Sequence, residues 1–164
     1  MAGPYDKLIR KLHKATDRAL NTFANSVNLK IQSNTSAGKD VNDKAFERLS
    51  TETTIPDRAR QNFPSGPPLV RSGKLKSTKI ERGDLKYTIK MTGRKKGLAY
   101  GALHNEGYTT SSKSAYPNQR VPARKWFGIP KGFTGNGKEA KQFKQQLSNI
   151  IGSAFKGTTT KKVK

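Results

Sequence analysis

The sequence contains no cysteine, and His13 and His104 are its only histidines. Without cysteine there is no disulfide and no thiolate metal site, and the redox compartment stays undetermined. Two histidines are too few for a histidine-rich metal site, and His13 lies among lysines that would repel a cation. We therefore predict no metal and no other cofactor.

Long apolar runs are also missing. No run approaches the ~18 residues of a membrane span, and no secretory apolar segment stands near the start. The 164 residues fit one domain, and an apolar fraction of only 32% is typical of a chain with much loop or with surface that is buried in an assembly. We expect a protein without membrane contact that is soluble or embedded in a protein assembly.

Acidic residues are scarce: 11 Asp and Glu stand against 33 Lys and Arg, giving a net charge of +22. From Lys86 to Lys164, only Glu106 and Glu139 oppose seventeen Lys and Arg, a net charge of +15. Charge of this size repels itself in an isolated compact monomer. It indicates either contact with nucleic acid or an acidic protein, or a solvated basic surface, and charge alone does not choose. The candidate contacts to DNA or an acidic partner are Arg94, Lys95, Lys96, Arg120 and Lys125.

Apolar spacing predicts a long amphipathic helix that follows Pro4 and continues to Ile31. The polar segment SNTSAGKD, residues 33–40, is expected to break it, and a long polar loop is expected over about 33–70. Within that loop, Ala45, Phe46 and Leu49 favour a short second helix.

Period-two alternation in residues 85–91 predicts a strand in which Leu85, Tyr87, Ile89 and Met91 share a buried face. Residues 75–80 are its expected antiparallel partner, with a turn at residues 81–84. A further short strand is expected in RKWFGIP, residues 124–130. The sheet is therefore predicted to be small and antiparallel, with a β-hairpin.

The C-terminal segment has helical spacing of its apolar residues from Ala140 to Ala154. Asn136 with Glu139 predicts a capping box at its start, and Gly157 predicts its end. The element order predicts an α+β fold: a long N-terminal helix, a small antiparallel sheet with a hairpin, and a C-terminal helix. Residues 1–157 would form a single domain and residues 158–164 a basic flexible tail.

His104 and Glu106 invite the interpretation of an acid–base pair. The apolar spacing of LAYGALHNEG instead predicts a short helix that ends at Gly107, where a left-handed C-cap belongs. On a helix, residues two apart point about 200° apart, so Glu106 could not orient His104 as a general base. We predict no acid–base catalysis by this pair.

Trp126 and Phe127 lie beside Arg120, Arg124 and Lys125, as in a base-stacking platform with a cationic rim. They also fit core or interface anchors, and a small domain with few aromatic residues needs most of them inside. The structural interpretation is favoured.

Three short segments, in order between residues 69 and 128, resemble segments of the tailed-bacteriophage virion morphogenesis proteins, the tail completion and head–tail joining family. LVRSGKLKST is similar to that family's Ser/Thr-Gly-x-Leu-x-x-Ser segment, YGALHNEG to its Tyr-Ala-x-x-His-x-x-Gly segment, and VPARKWFG to its apolar-Pro-Ala-Arg-Pro-Phe-apolar-Gly segment. The matching residues are Ser72, Gly73, Leu75, Thr78, Tyr100, His104, Gly107, Val121, Pro122, Ala123, Arg124, Trp126, Phe127 and Gly128. The chain departs from the pattern at Gly101, where alanine is usual, at Lys125, where proline is usual, and at Lys79, where an apolar residue is usual.

The resemblance implies a structural protein of the phage neck and no enzyme. It places the protein in the virion between capsid and tail, after assembly in the host cytoplasm. It implies a homo-oligomeric ring whose partners are other neck proteins: the portal, an adaptor or stopper, and the tail terminator or tail tube. The matching residues would be fold and interface determinants. The alternative is a non-enzymatic nucleic-acid-binding protein that uses its basic surface.

Overall fold

The computed structural model describes residues 3–47, 78–92, 100–114 and 116–156. Helix α1 spans Pro4–Ser36, and strands β1 (Thr78–Gly83) and β2 (Lys86–Met91) form an antiparallel hairpin. Helix α2 (Tyr100–Glu106) precedes the short strand β3 (Tyr108–Thr109), which pairs with β4 (Arg120–Val121). A 3-10 turn at Lys131–Phe133 leads to helix α3, Lys138–Lys156. The predicted α+β fold, with its two long terminal helices and hairpin, is confirmed.

Helix α1 ends at Ser36, within the segment 33–40 that was expected to break it. Its polar residues are satisfied inside the fold: the Thr35 hydroxyl donates to the Ile31 carbonyl (2.8 Å), and the Asn34 amide donates to the Asp40 carbonyl (2.8 Å). Both side chains are buried. The break predicted within residues 33–40 is therefore confirmed, and the chain turns after the helix at Gly38, where φ is +70°.

The predicted second helix is absent from residues 41–47, the part of it that the structure describes. Asp40 instead holds a tight turn, because its carboxylate accepts hydrogen bonds from the Asn42 and Lys44 backbone amides (both 2.8 Å). Ala45 then pairs with Lys39 in an isolated antiparallel bridge, and Phe46 enters the core. Leu49 lies outside the described residues.

The hairpin pairs Thr78 with Met91 and Gly83 with Lys86, so its turn consists of Asp84 and Leu85. The turn lies later in the chain than predicted. Leu85 belongs to it, at φ +47° and 41% exposed, rather than to the buried strand face. Alternation in the sequence does not distinguish a strand residue from a turn residue at the end of the run.

Side-chain hydrogen bonds hold the hairpin against α1. The Arg82 guanidinium donates to the buried carboxylate of Asp17, and the Tyr87 hydroxyl donates to the other oxygen of that carboxylate (3.0 Å). At the start of β1, the Thr78 hydroxyl bonds to the side chains of Asn28 and Gln32. The sheet is thereby held along the middle and the C-terminal half of α1.

Helix α3 packs on α1 through aromatic contacts, with the Phe23 and Phe143 rings stacked at 4.3 Å between centroids. It begins at Lys138, so Asn136 lies in the turn before it rather than at the predicted capping position. Gly157 lies outside the described residues. The central cluster of buried residues joins three parts of the chain: Val27, Ile31, Phe46 and Trp126. No helix of the described ranges is long and apolar enough to cross a bilayer.

Candidate functional site around Trp126

Two of the three resembling segments lie against each other and are called here the motif unit: residues 100–109 and 120–128. Strands β3 and β4 join them, with Tyr108 opposite Val121 and Thr109 opposite Arg120. The strand expected in RKWFGIP was wrong in position, because the pairing ends at Val121.

Gly107 ends helix α2 as predicted. It has φ +78°, and its amide donates to the Leu103 carbonyl (2.8 Å). A Cβ atom at this position would lie 2.7 Å from the Ala123 nitrogen and 3.0 Å from the Val121 carbonyl oxygen. Glycine is therefore needed at position 107 for two reasons: the positive φ angle, and the close approach of the second segment to the Cβ position.

Three hydrogen bonds connect α2 to the second segment. The Arg124 amide donates to the His104 carbonyl (2.8 Å), and the Phe127 amide donates to the Asn105 side-chain oxygen (3.0 Å). The Trp126 indole N–H donates to the Gly101 carbonyl (3.0 Å). Each bond uses a backbone group on at least one side, so the two segments fix each other's backbone path.

Trp126 is only 1% exposed and belongs to the central core cluster. This burial confirms the structural interpretation and excludes a base-stacking role for its ring in this conformation. Phe127 packs on the core beside it, with ring centroids 5.6 Å apart.

Gly101 lies in close contact with the Trp126 ring. A Cβ atom on Gly101 would lie 2.8 Å from the Trp126 ring and 2.9 Å from the Met91 sulfur. Gly101 is one of the three departures from the resembling pattern, and its lack of a side chain leaves room for the Trp126 indole.

His104 is largely buried beside Arg124, which is itself only 6% exposed. Burial in the first place, and the positive charge of Arg124 in the second, lower the pKa of His104 to about 4. Its ring lies edge-on to Tyr108, 5.5 Å between centroids. The imidazole is thus neutral at physiological pH.

Glu106 is exposed at the end of α2 and forms no hydrogen bond with His104. The helical geometry that was predicted to separate the two side chains is confirmed. Within the described ranges, no three His, Asp or Glu side chains are grouped as metal ligands would be.

The other predicted site residues are placed as follows. Thr78 begins β1 and bonds to α1, Pro122 is half-buried, and Ala123 is exposed between Pro122 and the buried Arg124. Arg120 and Lys125 are both exposed. Tyr100 begins α2. The residues that lie outside the described ranges are Ser72, Gly73, Leu75, Arg94, Lys95 and Lys96.

The turn after α1 is a part of the site that sequence reasoning missed. The Val41 amide donates to the Lys125 carbonyl (2.9 Å), and the Val41 carbonyl accepts from the Lys131 amide (3.0 Å). Val41 thus forms backbone hydrogen bonds with residues on both sides of Trp126. The sequence was interpreted as leading into a short helix here, and no local pattern pointed to residues more than eighty positions away.

Comparisons with known proteins give no relative: no family model, no curated protein and no solved structure matches the chain.

Proposed function

We propose that the chain is a structural protein of the neck of a tailed bacteriophage, a tail completion or head–tail joining protein. It would link the portal-side connector to the tail during assembly, as a subunit of a homo-oligomeric ring. The observation that carries the proposal is the packing of the YGALHNEG segment against the VPARKWFG segment. Two sequence segments resembling one family, separated in the chain, form a single unit in space.

The chemistry of the motif unit supports a structural role. Trp126 and Arg124 are buried, and Gly107 is required by backbone geometry. The motif residues therefore determine shape, which is what the resemblance implies for a ring subunit.

Exposed apolar side chains support assembly with other subunits. Large apolar residues are exposed on α1, on α3 and between them: Tyr5 (78%), Ile9 (62%), Leu29 (64%), Ile129 (63%) and Ile151 (50%). Scattered exposed apolar residues are common on monomers, but a chain with a small core gains most from covering them. Contacts with neighbouring subunits in a closed ring would do so.

Deletion of the gene from the phage that encodes the chain tests the proposal. The expected result is DNA-filled heads and separate tails that do not join, with joining restored by the wild-type protein supplied in trans. Electron microscopy of the lysate measures the fraction of joined particles. Intact virions in normal number after the deletion would contradict the proposal.

A further inference from the structure

The N-terminal half of α1 carries a row of basic side chains, called here the basic stripe: Lys7, Arg10, Lys11, Lys14 and Arg18. All five side chains are exposed. At 100° per residue they fall within an arc of about 100° on one side of the helix, and at 1.5 Å per residue the row is about 16 Å long. The stripe is thus a narrow line of positive charge along a rigid rod.

None of the five stripe residues forms a salt bridge within the described part of the chain. Other basic residues there do have acidic partners: Lys30 pairs with Asp43, Lys90 with Glu81, and Arg82 with Asp17. The two acids of α1 itself are engaged elsewhere, because Asp6 accepts from the Gly3 amide and Asp17 is buried against the hairpin. In the described part of the chain, the acids that form ion pairs therefore neutralise other basic residues, and the stripe has no acidic partner there.

The basic stripe also lowers the stability of helix α1. Lys7 with Lys11, Lys11 with Lys14, and Lys14 with Arg18 are like-charged neighbours at helical spacings of three or four, which destabilise a helix. Cations near a helix N-terminus further oppose the helix dipole. Local stability therefore does not explain these residues, whereas binding of a polyanion does.

The composition of the stripe favours nucleic acid over an acidic protein. Protein interfaces have an apolar centre that is depleted of charge. The stripe contains no apolar residue, and the same side of the helix continues through the exposed polar residues Asn21, Thr22 and Asn25. Lys and Arg with flanking Asn and Thr are the groups that contact a phosphate backbone.

We infer that the basic stripe of α1 is a binding surface for the phosphate backbone of duplex nucleic acid, without sequence preference. The site differs from the loop residues and Trp126 that the sequence suggested, and the inference does not depend on a location in the phage neck. Affinity comes from counterion release, so it falls steeply with salt.

The test measures binding of the full chain to a labelled 30-base-pair DNA duplex of arbitrary sequence, by fluorescence anisotropy across a range of salt concentrations. The stripe variant is K7Q/K11Q/K14Q/R18Q. The matched control, K131Q/K138Q/K141Q/K144Q, removes the same number of charges from exposed lysines in and before α3. Melting curves establish that both variants fold, and the stripe variant should be at least as stable as the wild type.

The expected result is tight binding by the wild type at low salt and binding weaker by about tenfold or more in the stripe variant. The slope of log K against log salt should become shallower by about 3.6, since four phosphate contacts are lost and each contributes about 0.9. The control should keep most of the wild-type affinity and slope.

Three results would overturn the inference. Equal loss in the stripe variant and the control would mean attraction by total charge alone. Absence of binding by the wild type at low salt would show that the stripe does not bind duplex DNA. Displacement of the duplex by polyglutamate as effectively, charge for charge, as by unlabelled duplex would assign the stripe to acidic protein.

Discussion

The motif unit and the N-terminal half of α1 differ in how far their side chains are buried. In the motif unit, Gly101, Arg124 and Trp126 are buried, and backbone groups are bonded across it. In α1, no residue from Tyr5 to Thr16 is buried, and the first buried side chain is Asp17. Residues of the motif unit are thus held by close packing, whereas the exposed side chains at the start of α1 do not enter the core and are accessible to a partner. The predictions below test each side of that difference.

The largest effect is expected from Trp126→Ala. Removing a fully buried indole leaves a cavity in the central cluster, which costs about 3–5 kcal/mol of unfolding free energy. Urea denaturation measures the loss. Ile129→Ala is the control, because Ile129 is 63% exposed and its truncation should change stability by less than about 0.5 kcal/mol. Similar small losses in both variants would contradict the assignment of Trp126 to the core.

Gly107→Ala should be the next most damaging change, at about 1–3 kcal/mol, because its Cβ atom would overlap the backbone of Ala123 and Val121. Gly135→Ala separates the two causes. Gly135 also has a positive φ, +53°, but no atom lies within 4 Å of its Cβ position. At Gly135 only the cost of placing alanine at a positive φ should remain. Equal losses of unfolding free energy in the two variants would therefore show that the close backbone approach at Gly107 does not contribute.

His104 should make stability depend on pH. Its pKa is about 6.5 in an unfolded chain and about 4 in the fold, so the unfolded state binds the proton first as the pH falls. This contribution to stability is therefore complete above about pH 6.5, decreases between about pH 6.5 and 4, and is lost below about pH 4. Urea midpoints measured across this range check it.

His104→Gln should remove that part of the decrease. His13→Gln is the matched control, because His13 is an exposed residue of α1 whose ring nitrogen lies 2.7 Å from Asp84. It should retain the decrease. An identical pH profile in His104→Gln and the wild type would contradict the burial of a neutral imidazole.

The smallest effect is expected at the start of α1. Tyr5→Ser and Ile9→Ser, together, should change the unfolding free energy by less than about 0.5 kcal/mol per site, because both side chains are mostly exposed. Thermal or urea unfolding measures this. A loss of several kcal/mol would mean that this half of α1 does hold the fold.

Helical and strand periodicity predicted the main elements, because α1, α3 and β2 carry long or regular apolar patterns. Gly107 was predicted correctly, because a glycine that follows a short apolar helix commonly forms its left-handed C-cap. The second helix expected around Ala45 and Phe46 was wrong. The Asp40 carboxylate accepts from the Asn42 and Lys44 backbone amides and holds a turn there, which apolar spacing alone does not reveal.

The candidate site was predicted in part. Resemblance placed His104, Arg124 and Trp126 in one set, and the structure brings their segments together. The role of Val41 depended on a tertiary contact that leaves no local pattern. The basic stripe was visible as lysines on α1, but its significance depends on which acids pair with other residues, and these pairs form only in the folded chain.

The proposal that the chain belongs to a phage neck is tested most directly by immunogold electron microscopy of virions purified after expression of the genome that encodes the chain. Antibody against the chain should label the junction of head and tail once the neck is exposed by mild disruption. Label on the capsid or the tail tip alone, or none on particles that demonstrably react with control antibodies to other virion proteins, would contradict the account.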